Sequence, residues 1–214
     1  MFSLHSNKAP GPNGYTSFFF KETWHIIGRL VTDAILDFFR SRKLLKQINA
    51  TSFNLIPKVP NAFSMSQYRL IACCNTIYKC ISKILSNRLK NVLLSIIDNT
   101  QSAFVHGRRT CDNILVGQEI MSDYHQCRGI PRCTAKVDLM KAYDSVRWDF
   151  LFDLLSLMNF PPFRINWIRQ CVSSLRFSVC INGNLVGYFS STKGLRQVDP
   201  LLPYLFVMVI ELLY

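Results

Sequence analysis

The stretch Lys136-Val-Asp-Leu-Met-Lys-Ala-Tyr-Asp144 decides the reading of this chain. Lys136, Val137 and Asp138 form a short β-prone run that ends in a carboxylate; an aromatic, Tyr143, follows five residues on, and a second carboxylate closes the stretch. Asp138 is expected to project from a strand held by a folded core. Asp144 or Ser145 is expected to cap a following helix, because Trp148, Leu151, Phe152, Leu155 and Met158 recur at helical spacing. Taken alone, Asp138 reads as a solvated turn residue and Asp144 as an ordinary N-cap, so the stretch needs company to carry more.

On the C-terminal side, Phe177 to Phe189 contains two strand-like runs around Asn182-Gly183, a strong short hairpin signal. Lys193-Gly-Leu-Arg-Gln-Val-Asp-Pro200 then leads into an apolar run from Leu201 to Tyr214. Pro203 and Glu211 interrupt that run, which falls short of the roughly 20 residues a bilayer span needs, so a buried helix is expected.

On the N-terminal side, Ile77, Ile81, Ile84, Leu85, Leu89 and Val92 make a helical stripe. Thr51 to Lys58 and Tyr68-Arg-Leu-Ile71 read as a hairpin carrying Lys58 and Arg69. Phe20, Trp24, Ile27, Val31, Ile35 and Phe38 predict one or two amphipathic helices. Lys8-Ala-Pro-Gly-Pro-Asn-Gly14 is a turn-rich opening that suits neither helix nor central strand.

The 214 residues are enough for a sizeable core, and 49% hydrophobic against 18% charged content argues against wholesale disorder. The 25 Lys+Arg exceed the 13 Asp+Glu, a net charge of +12 that favours a polyanionic partner, nucleic acid first and an anionic membrane surface second. Met1-Phe-Ser-Leu-His-Ser-Asn-Lys8 lacks the apolar centre of a secretory signal, so an intracellular location, cytoplasmic or nuclear, is expected. The eight cysteines include no Cys-x-x-Cys pair and are expected to stay reduced. His125, Cys127 and Cys133 lack a fourth ligand at suitable spacing, which argues against zinc.

In order along the chain, five motifs resemble the reverse transcriptase domain of plant non-LTR (LINE-type) retrotransposons. They are Lys8 to Gly14, Leu55-Ile-Pro-Lys58 with Tyr68-Arg69, Gln101-Ser-Ala-Phe-Val-His-Gly-Arg108, the Asp138 segment, and Gly194 to Pro200. Each is weak alone and the ordered set is specific. The resemblance implies an α+β right-hand polymerase fold in one partial domain, residues 1–214, with fingers over about 1–130 and an incomplete palm over 131–214. It implies an RNA template, a DNA primer and deoxynucleoside triphosphates as partners. Asp138 is then expected to be the catalytic carboxylate and, with the main-chain carbonyl of Leu139, to bind the Mg²⁺ pair, since hard cations take oxygen ligands. Tyr143 matches the residue that crowds a ribose 2′-hydroxyl. Lys58 and Arg69 match the cations on the incoming triphosphate, and Gln197 the residue that lines the nucleotide and template pocket.

The chain also departs from the pattern. The aromatic-Ala-Asp-Asp hairpin that supplies further carboxylates would fall beyond Tyr214, as would the thumb, so the chain is expected to be a truncated piece, inactive alone. Val198 stands where the family has glycine; if positive φ is required there, strain of roughly 1–3 kcal/mol follows. Leu70 replaces a proline and Leu202 a serine. The rival expectations are a non-catalytic basic RNA-binding module and a pseudogene remnant.

Overall fold

The computed structural model describes residues 1–122, 124, 133 and 135–212. Two helices open the fold, α1 (Ser17–Glu22) and α2 (Trp24–Ser41), in agreement with the amphipathic pattern. A hairpin follows, β1 (Ala50–Pro57) and β2 (Tyr68–Cys74), then the long helix α3 (Thr76–Ile96) and α4 (Thr110–Ser122). A single turn, α5 (Ala142–Ser145), precedes the pair α6 (Trp148–Leu157) and α7 (Pro162–Ser173). A second hairpin, β3 (Arg176–Ile181) and β4 (Asn184–Phe189), leads to α8 (Leu202–Glu211).

The two hairpins join into one mixed sheet of order β2-β1-β3-β4. Each hairpin is antiparallel and the seam between them, β1 beside β3, is parallel. The turn of the second hairpin places Asn182 at φ +50° and Gly183 at φ +83°, the left-handed pair that a two-residue hairpin turn requires. Asn49, fully buried just before β1, locks the seam: its amide donates to the Cys171 carbonyl at 3.0 Å and to Ser174 Oγ at 2.9 Å.

Four helices form the core. Tyr78, Ile81 and Leu85 of α3 meet Leu151 and Leu155 of α6, Ile168 of α7, and Leu205 and Met208 of α8, all buried. The apolar run from Leu201 is thus a buried helix, and the side chain of Leu202 is absorbed into the same core. Among the described residues no helix is long and apolar enough to cross a membrane.

The opening turn is pinned against the start of α3. The Asn13 backbone N–H donates to Asn75 Oδ1 at 3.2 Å, and Asn75 Nδ2 donates to the Gln47 carbonyl at 2.8 Å. Gly11 sits so close that a Cβ there would lie 2.4 Å from Asn75 N and Oδ1, so only glycine fits. Further along, Arg108 closes the loop after α3: its guanidinium donates to the carbonyls of Ile97 (3.1 Å), Gln101 (2.7 Å) and Asp98, and to Asn99 Oδ1 (3.1 Å).

Two local expectations are corrected. Residues 135–139 form no strand; they are exposed, Val137 at 80%, and no described strand pairs with them. β-propensity is realised only against a neighbouring ladder, and no described strand offers one here. Nor do Asp144 and Ser145 cap α6: both lie inside α5, and Arg147 occupies the N-cap position without a side-chain bond. Of the three residues weighed as zinc ligands, His125 and Cys127 lie outside the described residues and Cys133 is exposed.

Candidate active site

The segment from Gly194 to Asp199 connects most of the residues singled out in the sequence. Gly194 N donates to the Val146 carbonyl at 2.7 Å and Leu195 N to the Tyr143 carbonyl at 2.8 Å, while Trp148 Nε1 donates to the Gly194 carbonyl at 2.8 Å. These bonds stitch the α5–α6 corner to the entry of α8. Gly194 is required twice over, by φ +88° and because a Cβ would approach the Asp144 backbone to 3.1 Å.

Beneath this segment lies a buried ionic network. Arg196 reaches Asp199 at 3.0 Å and Thr51 Oγ1 of β1 at 2.6 Å, and its guanidinium carbon stands 3.8 Å from the centre of the Tyr78 ring. Asp199 in turn accepts from Tyr78 Oη at 2.5 Å, from Ser82 Oγ, and from Leu201 N at 2.9 Å. Burial pushes the Tyr78 phenol well above its ordinary pKa, so it remains a donor to the carboxylate. A buried charge is tolerated when it is paired and hydrogen-bonded, and here both charges are.

Held from below in this way, the segment presents Gln197 and Val198 to solvent. Val198 has φ +67°, the left-handed conformation that a β-branched residue adopts only under strain. A positive φ is the condition under which valine in place of glycine is strained, and the backbone here meets it.

Gln197 and Asp144 line one cavity of about 420 Å³, walled by Phe53, Leu70, Phe177 and Phe189 and rimmed by Ser190 to Lys193. Tyr143 is beside the cavity but turned inward, its ring 4.6 Å from that of Phe206 at 63°. Lys58 and Arg69 do fall on one hairpin, as the sequence indicated, with Ile56 paired to Arg69. Leu70 faces the cavity, and side chains alternate along a strand, so Arg69 projects from the opposite face of the sheet. Lys58 Nζ is drawn onto the Ser66 carbonyl at 2.7 Å. The structure therefore gathers Gln197 and Asp144, sets Tyr143 behind them, and leaves Lys58 and Arg69 apart.

Asp138 is exposed on the irregular segment 135–139, and among the described residues no group of three His, Cys, Asp or Glu side chains comes together to hold a metal. One carboxylate and the Leu139 carbonyl do not make a donor set for two Mg²⁺ ions, each of which wants near-octahedral oxygen ligation. As arranged, these residues do not fit the metal pair.

Arg196, Asp199, Tyr78 and Thr51 were missed as partners. A signal existed: Arg196 and Asp199 are three residues apart directly before an apolar helix, where unpaired charges would be costly. Tyr78 and Thr51 offered none, since their approach depends on the β1–β3 seam.

Comparison with known proteins agrees with this framework. Residues 56–214 match the family model described as reverse transcriptase (RNA-dependent DNA polymerase). The chain is 28% identical over 205 residues to the uncharacterized 149 kDa protein of transposon TX1 from Xenopus laevis, covering 96% of this chain and 16% of that protein. It is 23% identical to the retrovirus-related Pol polyprotein of the type-1 retrotransposable element R2 of Nasonia vitripennis (95% of this chain, 19% of the relative). Against that of the type-2 element R2DM of Drosophila melanogaster the identity is 24% (96% and 19%). The chain belongs to the reverse transcriptase family. It spans between about a sixth and a fifth of the length of these relatives.

Proposed function

We propose that this chain is the fingers and part of the palm of an RNA-directed DNA polymerase from a non-LTR retrotransposon, working in the cytoplasm or nucleus on an RNA template, a DNA primer and deoxynucleoside triphosphates. The observation that carries the reading is the clamped 194–199 segment, which sets Gln197 beside a cavity at the sheet while its backbone bonds to the Tyr143 and Val146 carbonyls. The plant affiliation rests on the resemblance of the five ordered motifs alone, from Lys8 to Pro200. Fingers are assigned to about residue 130 and palm to the remainder.

In this reading Asp138 is the catalytic carboxylate and, with the Leu139 carbonyl, a partial metal site. Lys58, Arg69, Tyr143 and Gln197 contact the nucleotide. Because no group of three or more His, Cys, Asp or Glu side chains comes together among the described residues, Asp138 included, the chain does not catalyse nucleotide transfer unaided. Primer extension on a primed RNA template tests this directly: activity from the chain, lost in Asp138→Ala, would sink the claim that it is incompetent and keep the family role.

A second reading, a non-catalytic RNA-binding module, is favoured by the charge balance. Only two ion pairs, Arg147–Asp149 and Arg196–Asp199, occur among the described residues, so most of the 25 basic side chains remain available to phosphate. It predicts salt-sensitive RNA binding that is indifferent to Asp138→Ala and weakened by replacing Lys58 and Arg69.

A further inference from the structure

We infer that the arginine-lined cavity at the α6–α7 corner is a seat for the phosphodiester backbone of a nucleic acid strand. This goes beyond the polymerase reading and holds whether or not the chain extends a primer, because the cavity shares no residue with the one beside Gln197. It is built on the N-terminal part of α7 and the end of α2, whereas β3 begins past the other end of α7.

The cavity has a volume of about 640 Å³, and its polar lining is Arg42, Ser156, Asn159, Asn166 and Arg169, with no carboxylate. Phe160 also lines an adjoining depression, which carries Arg88 and Arg164 and again no carboxylate. None of these four guanidinium groups makes an ion pair or hydrogen bond to another described residue. Three of them are set over aromatic rings instead. The Arg169 guanidinium carbon lies 4.1 Å from the centre of the Phe152 ring, that of Arg88 5.3 Å from Phe39 and 5.9 Å from Trp167, and that of Arg164 5.9 Å from Phe163. A guanidinium placed over a ring gives up side-chain freedom before any ligand arrives, while its N–H groups stay free for the paired oxygens of a phosphate.

Arg42 is placed by the backbone. It ends α2 in the left-handed conformation, φ +57°, with its N–H on the Phe38 carbonyl at 2.9 Å, a position that favours glycine. Pro161 and Pro162 open α7 and have no N–H, so the grip on an anion falls to side chains and not to the end of the helix. The number of charges chooses between the sources of a phosphate. A lone phosphate ester is satisfied by one pair of arginines, whereas arginines spread over two adjoining depressions match the repeating charge of a strand. The strand is therefore the occupant.

Fluorescence anisotropy of a labelled single-stranded RNA oligonucleotide, titrated with the full chain at several chloride concentrations, tests the seat. Arg42→Gln combined with Arg169→Gln should weaken binding and reduce the slope of log affinity against log salt by about 1.4, about 0.7 for each phosphate contact given up on a single strand. Arg42→Gln alone alters an exposed side chain without a described partner, so it should fold as the parent does and reduce the slope by about 0.7. Arg29→Gln combined with Lys90→Gln removes the same charge outside both linings and should leave the slope near that of the parent. An equal change in the two pairs, or an unchanged slope in Arg42→Gln, would overturn the seat and leave the polymerase reading, which primer extension tests, as it stands. Saturable calorimetric binding of inorganic phosphate alone at micromolar concentration, lost in the Arg42 and Arg169 pair, would overturn the assignment to a strand.

Discussion

Arg196 and Asp199 are held 3.0 Å apart with side chains 1% and 8% exposed, and they bond in addition to Thr51, Tyr78 and Ser82 from two other elements. Removing one partner leaves the other charge buried and unpaired. Asp199→Ala is expected to cost about 3–5 kcal/mol in urea denaturation. The double change Arg196→Met with Asp199→Leu should recover only part of that, because the hydroxyls of Thr51, Tyr78 and Ser82 lose their partners. A single-variant cost below about 1 kcal/mol would mean that water reaches the pair.

Val198 at φ +67° should be relieved by glycine. Val198→Gly is expected to gain about 1 kcal/mol of stability, since the left-handed conformation costs an L-residue about 1–2 kcal/mol and glycine nothing. Val198→Ala keeps a Cβ and should gain much less. Equal effects of the two would remove the backbone explanation.

For Asp138→Ala the expectation concerns stability. The side chain is exposed on a segment without a ladder, so the midpoint of unfolding should move by no more than about 0.5 kcal/mol. A larger loss, measured by the same denaturation, would show that the segment is held by contacts to the folded body.

Arg108 ties three carbonyls and one side-chain oxygen, and its planar fork has no lysine equivalent. Arg108→Ala and Arg108→Lys are both expected to destabilise, alanine by about 1.5–3 kcal/mol. The neighbouring Asp98 carboxylate is held below its ordinary pKa, chiefly by the Thr100 backbone N–H and then its hydroxyl, with Arg108 adding a smaller pull. Its contribution is present above the unfolded-state pKa and lost as pH falls through the lower folded value. Asp98→Asn should therefore lower stability at neutral pH, where the contribution is present, leave strongly acid pH little changed, and so flatten the acid limb of the stability profile.

The thiols sort by burial. Cys111 and Cys133 are exposed, while burial pushes the thiols of Cys74 and Cys171 above their ordinary pKa. Mass spectrometry after brief alkylation is expected to find Cys111 and Cys133 modified first and Cys171 last.

The helices α1, α2, α3, α6 and α8 and both hairpins were legible because each depends on neighbours in sequence: the stripe from Ile77 to Val92 made α3, and Asn182-Gly183 made the second hairpin, whereas α4 and α7 were not anticipated. What escaped was long-range. Nothing local says that Thr51 will meet Arg196 or that Asn49 will meet Cys171, because both follow from the parallel seam. The strand expected at Asp138 failed for the same reason in reverse: its propensity was local, and no strand among the described residues pairs with it. Of the expected site, Gln197 is placed beside a cavity, whereas the separation of Arg69 from it by one alternation of β2 could be seen only once the sheet's faces were known.

The parallel seam also has a kinetic side. Each hairpin can close on its own within a short length of chain, but Thr51 and Arg196 are separated by 145 residues, and the loop between them must be gathered before β1 and β3 can pair. The cavity beside Gln197 and the ion pair both sit on that seam, so they are expected to form together and late, after the helices have condensed. During synthesis the first hairpin, with Lys58 and Arg69, emerges well before its companion strands and waits with one edge unpaired. The window in which this chain is most open to mispairing therefore closes only when the second hairpin docks.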